Sequence, residues 1–194
     1  MKYQKRPPFL LLKRIATYEL EDVDRLVAWS EQMRRSRAHF LKRFVPSTRH
    51  YDQFVDDFAE IDAFAHLYAE CAIVALWRCV ELYRKRAISQ ALGASAAGKA
   101  FRNHDFIKEL RKIGIVETKV QCHKAVNELR CLNNAAKHEK RVGGELAELP
   151  KWRKRKGQEL KDLLPHYRRL RPMAEKYISD LTSQLNSWWK RNSA

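Results

Sequence analysis

Glycine and proline are scarce in these 194 residues, six of each, and they cluster rather than scatter. That excludes a chain of many tight turns and leaves long uninterrupted helices. Val, Ile and Thr nowhere alternate with polar residues over a strand's length, so β-structure is not expected. Cysteine is also sparse: Cys71, Cys79, Cys122 and Cys131 contain no C-x2-C pair and sit in apolar helical contexts. They read as reduced structural thiols, with neither a zinc site nor any other metal or cofactor expected. Apolar runs are short. Phe9-Leu10-Leu11-Leu12 falls well below a signal-peptide core, and no apolar run of about 18 residues is present, so a membrane span is not expected and the cytoplasm is the simplest location. Acidic residues are the last shortage, 23 against 39 Lys+Arg, which leaves a formal net charge of +16. Such a surplus favours an anionic partner, nucleic acid ahead of an acidic membrane surface or an acidic protein.

What remains is a helical chain. The pattern predicts an all-α fold: one bundle of about five helices spanning 1–194, with an entry segment over 1–16. A first helix is expected over about 19–44, ending before Pro46, with Ser47-Thr48 placed to cap the next. The second, about 50–92, meets no Gly or Pro until Gly93. Its apolar residues (Phe54, Phe58, Ile61, Ala65, Tyr68, Ala72, Ala75, Cys79, Leu82) recur at alternating spacings of four and three. A second stripe (Phe64, Leu67, Cys71, Val74) joins them, so this helix should be central and buried on more than one side, or present a dimer face. Its first turns carry Asp52, Asp56, Asp57, Glu60 and Asp62, which suit a helix N-terminus by complementing its dipole. Residues 93–104 read as a small-residue loop. Gly93 to Lys99 has G-x-x-x-x-G-K spacing, but no Ser or Thr follows and no strand precedes, so a P-loop is rejected. Shorter helices are expected over about 104–113 and 117–140, and a last one from near Pro172.

The most informative stretch is 127–144. At about 100° per residue, His123, Asn127, Arg130, Asn134, His138 and Arg141 fall within an arc of roughly 80°, and the helix should stop at Gly143-Gly144. Cys122, Ala125, Val126, Leu129, Leu132 and Ala136 occupy the other side and should face the core. A His, Asn and Arg strip without a carboxylate suits a phosphodiester, with Lys137 beside it. The same strip also reads as an ordinary polar surface that bonds neighbouring loops. Further on, Lys151-Trp152-Arg153-Lys154-Arg155-Lys156 sets five basic residues around one Trp. This basic linker, 150–171, reads either as solvated chain or as a phosphate contact with Trp152 stacked on a base. Arg168, Arg169 and Arg171 add a second basic cluster.

The segment VNELRCLNNAAKH, preceded by FIKELRKIGIV and followed by a Gly turn, resembles the HEPN superfamily of all-helical domains. The resemblance covers roughly 50–190 and implies a homodimer and, for many members, metal-independent RNA cleavage in toxin–antitoxin, defence or RNA-processing systems. The family's motif is an Arg, four to six residues, then a His, often R-N-x-x-x-H. Asn134 and His138 match its second part, while Asn133 stands where the Arg should be. Arg130 lies about 80° from His138 on the wheel, against about 140° for the motif position. The resemblance implies a site in which His138, Asn134 and Arg130 carry the chemistry, two copies of His138 sharing the acid and base roles. Asn133, Lys137, Arg141, Trp152, Arg153, Lys154 and Arg155 would bind nucleic acid. Two alternatives stay open: a helical module that binds RNA or DNA through its basic face without cutting it, and an interaction protein with a protein partner or antitoxin. Trp188-Trp189 and the long apolar helix would serve the last.

Overall fold

The computed structural model describes residues 8–43, 51–100 and 102–192, with the backbone alone for 51–55, 57 and 58. Among these residues the chain is all-helical, with seven α-helices: α1 (Phe9–Arg43), α2 (Tyr51–Leu92), α3 (Ala94–Lys99), α4 (Asn103–Lys112), α5 (His123–His138), α6 (Gly144–Glu148) and α7 (Leu163–Asn192). The expected stop before Pro46 and the Ser47-Thr48 cap lie outside the described residues.

The framework is α1, α2 and α7. Arg86 donates to Glu19 at 2.7 Å and Trp29 meets Tyr68 edge-on at 6.4 Å, so α1 and α2 run antiparallel. α7 returns along α1: Tyr167 donates to Asp24 at 2.6 Å, Lys13 to Ser179 at 2.9 Å, and Phe9 packs against Trp189 at 6.1 Å. The inner seam of α2 supplies the centre of the core, with Ile73, Leu76, Val80, Tyr83, Ala87 and Ile88 fully buried. Burying a Leu or Ile side chain contributes roughly 1.5–3 kcal/mol. Helices α4 and α5 each pack on α2 without packing on each other. That gap becomes the site.

Several expectations are corrected. Helix α1 starts at Phe9, not near 19, because a Pro just ahead of the first turn is compatible with helix and Phe9 is anchored against Trp189. Trp188 and Trp189 are therefore half-buried packing residues rather than an open recognition pair. Residues 94–99 form a short helix instead of loop. α5 begins at His123, since Cys122 takes a left-handed φ of 59° and Glu117–Lys119 make a separate 3-10 turn. α5 also ends at His138, before the glycines. Gly143 does a different job: a Cβ there would stand 2.0 Å from the Glu139 carboxylate. α7 begins at Leu163 and carries Pro172 inside it, where the missing N–H leaves one helical bond unmade.

The basic stretch keeps Lys151, Arg153, Lys154 and Lys156 exposed to solvent, but its two ends are tied together. Val142 and Gln158 pair backbones at 2.8 Å, Leu160 bonds Lys140 at 3.0 Å, and Arg141 bridges Glu159. Arg168, Arg169 and Arg171 form ion pairs with Glu31, Glu128 and Asp24, so this cluster ties α7 to α1 and α5. Cys79 and Cys131 are buried, and burial pushes the Cys79 thiol up to about 11, whereas Cys71 is exposed. Asp56, Glu60 and Asp62 are exposed on the first turns of α2. His66 Nε2 lies 3.3 Å from the Glu70 carboxylate. No three His, Cys, Asp or Glu among the described residues gather closely enough to hold a metal. By length and composition Ala59–Leu92 has one stretch apolar enough to cross a membrane, contrary to the reading by apolar runs; in this fold it is the central helix.

Candidate nucleic-acid groove

The polar strip of α5 opens onto a groove between α5 and α4, floored by α2. It comprises two adjoining cavities that share Arg84 and Asn103, of about 340 and 460 Å3. The first takes Arg130, Asn133, Asn134, Lys137 and His138 from the C-terminal half of α5, with Arg102 and Lys85 opposite. The second takes His123 and Asn127 from the N-terminal half, with Ile107, Leu149 and Lys151. Five of the six strip residues thus line these two adjoining cavities. The N-terminal end of α5 is tied down by the Gln121 N–H, which donates to Asp180 of α7 at 2.9 Å.

The individual residues behave differently. Asn134, Lys137 and His138 are exposed, while His123, Asn127 and Arg130 are half-buried. Arg130 donates to Asn127 Oδ1 through Nε at 3.2 Å and also pairs with Glu145 from α6. That pairing holds the Glu145 carboxyl below the usual carboxylate range. The strip lacks acids in sequence, yet the fold lays one on its central arginine. Asn133 is 3% exposed, and its Nδ2 donates to Asn134 Oδ1 at 3.1 Å. Its own Oδ1 is a buried acceptor with no hydrogen-bond partner, in the wall of the groove. Buried acceptors are rarely left so.

Arg141 sits past the end of α5, outside both cavities. Trp152 is 1% exposed; its Nε1 donates to Glu128 at 2.8 Å, and its ring lies 4.6 Å from His166 and under Arg155. Its ring faces cannot take a base without unfolding, which corrects the stacking role. Burial is the main force holding His166 below its ordinary range. Arg153 and Lys154 are exposed on a 3-10 turn away from the groove walls.

Sequence reasoning missed Arg84, Arg102, Asn103 and Glu145. Arg84 is 5% exposed yet makes three bonds: to Tyr177 at 3.1 Å, Asn103 at 2.8 Å and Glu117 at 3.1 Å. Its guanidinium lies 4.6 Å from the Phe106 ring centre and 5.0 Å from that of Tyr177. Burial pushes the Tyr177 hydroxyl up to about 12, so it stays protonated. The available signal was a charge set four residues from both Val80 and Ile88, in the apolar seam of α2.

No family model matches the chain, and neither a curated protein nor a solved structure is similar to it.

Proposed function

We propose that this protein binds RNA in the groove between α4 and α5, in the manner of an HEPN-like module. The observation that carries the reading is that the polar strip opens onto that groove instead of being sealed beneath neighbouring helices. Arg102, Lys137 and His138 supply exposed positive or protonatable groups at its rim, and the chain's net charge of +16 draws a polyanion towards it.

Metal-independent cleavage is the stronger form of this reading, favoured by His138 standing exposed beside Asn134 at the groove. An imidazole there would take the 2′-hydroxyl proton as O2′ attacks phosphorus. The 5′-oxygen leaves with a proton from a second acid, giving a 2′,3′-cyclic phosphate and a free 5′-hydroxyl. The second acid would be His138 of another copy. Arg84 brings a guanidinium from α2 to the cavity that Asn133 lines, although three of its N–H groups are already committed.

Fluorescence anisotropy with single-stranded RNA tests the binding claim. Arg102→Glu with Lys137→Glu should weaken affinity by at least roughly tenfold, and log Kd should rise steeply with log salt. Absent or salt-insensitive binding would remove the reading. For cleavage, RNA incubated with protein in EDTA should be cut by the wild type and left intact by His138→Ala, which should still bind. Equal persistence of RNA with both proteins leaves a binder only.

Glu145→Gln offers an independent check. Releasing Arg130 from its carboxylate adds one cation to the groove, so RNA binding should tighten at low salt. The salt slope should steepen by about 0.7, the increment for one extra phosphate contact on a single strand. An unchanged slope would mean that Arg130 faces no phosphate.

A further inference from the structure

The two cavities of the groove differ in chemistry. The one beside Lys137 and His138 carries Lys85, Arg102 and Arg130 against a single carboxylate, Glu81. Its neighbour at the N-terminal end of α5 holds two carboxylates, Glu117 and Glu128, which are 7% and 9% exposed. A carboxylate oxygen only accepts hydrogen bonds, so it takes an N–H edge and cannot bond a phosphate oxygen. Ile107 of α4 and Leu149-Pro150 after α6 give this cavity apolar walls, and its volume of about 460 Å3 is typical of a small-ligand pocket. Apolar walls with polar groups between them suit a flat heterocycle.

The hydrogen bonds already made fix what each side chain has left to offer. Glu128 Oε1 accepts from Trp152 at 2.8 Å and from Arg169 at 2.6 Å, and Glu117 Oε1 accepts from Arg84 at 3.1 Å. The Oε2 of each has no partner among the described residues and is not sealed from solvent. The amides are set the other way round. Asn127 Oδ1 accepts twice from Arg130, at 3.2 and 3.1 Å, and Asn103 Oδ1 accepts from Arg84 at 2.8 Å. In both, the Nδ2 amide group is the part left to donate. The residues that line this cavity therefore bring two open acceptors and two open donor groups.

Among the four RNA bases, guanine is the complement. It donates from two ring positions, N1–H and the 2-amino group, and accepts at O6 and N7. Adenine, cytosine and uracil each donate from one position only. Single-stranded RNA is read in this way, with a base turned out of the strand and bonded along its edge. Lys124 and Lys151, both exposed, stand at the same cavity to meet the flanking phosphates.

We infer that this cavity is a guanine-specific base site, filled by a nucleotide whose strand continues past Lys137 and His138 in the adjoining cavity. The inference rests on the groove binding RNA and adds which base it selects. Glu117 and Glu128 accept from N1–H and the 2-amino group, while Asn103 and Asn127 donate to O6 and N7.

Fluorescence anisotropy with short oligouridines carrying one central guanosine, adenosine, inosine or uridine tests it. Guanosine should bind at least about tenfold more tightly than adenosine or uridine, the discrimination of one good bidentate base contact. Inosine lacks only the 2-amino group and should fall severalfold below guanosine. Glu128→Gln can still accept from Trp152 through Oε1 but turns its open acceptor into a donor, and should remove most of the guanosine preference. Circular dichroism checks its fold, and the base series needs no variant at all. GMP has the same base but lacks the strand's other phosphates, so it should compete only far above the oligonucleotide's Kd. Equal, salt-dependent affinity for all four RNAs overturns the guanine site and leaves groove binding standing, whereas no binding of any RNA overturns both. Inosine equal to guanosine overturns the two-donor reading. A guanosine preference untouched by Glu128→Gln overturns the placement in this cavity, and GMP binding as tightly as the oligonucleotide overturns the strand assignment.

Discussion

Arg84→Ala should lower the unfolding free energy by about 3–5 kcal/mol, the cost of leaving a buried charge without its partner. Glu117 is 7% exposed and would lose the guanidinium that neutralises it, while Tyr177 and Asn103 would lose their shared donor. Three aromatic rings would also face a cavity where the guanidinium now lies, at 4.6 to 5.4 Å from their centres. Urea denaturation measures the effect. Adding Glu117→Leu should restore part of the loss, because it removes the orphaned carboxylate. The double variant should then be more stable than the sum of the singles requires. An Arg84→Ala protein within about 1 kcal/mol of wild type would show that α2, α4 and α7 are not joined through this residue.

The second large effect separates two roles for one side chain. Trp152→Ala should destabilise the fold by about 3–5 kcal/mol, the usual cost of emptying a buried aromatic site. Trp152→Phe keeps most of the ring but deletes the Nε1 donor to Glu128, and should cost about 1–3 kcal/mol for the carboxylate's lost bond. Glu128 still accepts from Arg169 at 2.6 Å, which limits that loss. RNA affinity measured well below the melting temperature should change little in the Phe variant. If Trp152→Ala left stability unchanged and selectively removed RNA binding, the buried placement would be refuted and a stacking role restored.

The contrast at Trp152 shows what a sequence carries and what it does not. Helix α2 was legible because forty residues without Gly or Pro, repeating at three and four, have few other ways to bury their apolar side. The strip on α5 was legible for the same reason: a wheel places His123, Asn127, Arg130, Asn134 and His138 together whatever surrounds them. Trp152 was not, since its neighbours in sequence are five cations, and the partners that hold its ring inward, Glu128 and His166, are distant in the chain. Arg130 and Glu145 are 15 residues apart, and nothing local announces that one will neutralise the other. Arg84 came closest to being found, a single charge in an apolar seam. The helix starts failed where tertiary contact decided them. Phe9 extends α1 by meeting Trp189 from the far end of the chain, and Cys122 interrupts α5 with a left-handed residue that no propensity favours.

The antiparallel seam between α1 and α7 has a consequence for how the molecule is made on the ribosome. Phe9, Lys13 and Asp24 find their partners at Trp189, Ser179 and Tyr167, roughly 140 to 180 positions later in translation order. The α1–α2 hairpin can form early, but the flank of α1 that α7 will cover stays bare until α7 itself has left the exit tunnel. Loop-closure entropy grows only slowly with length, so waiting costs little in final stability. It does cost time, during which a nascent apolar surface is open to chaperones and to misassembly.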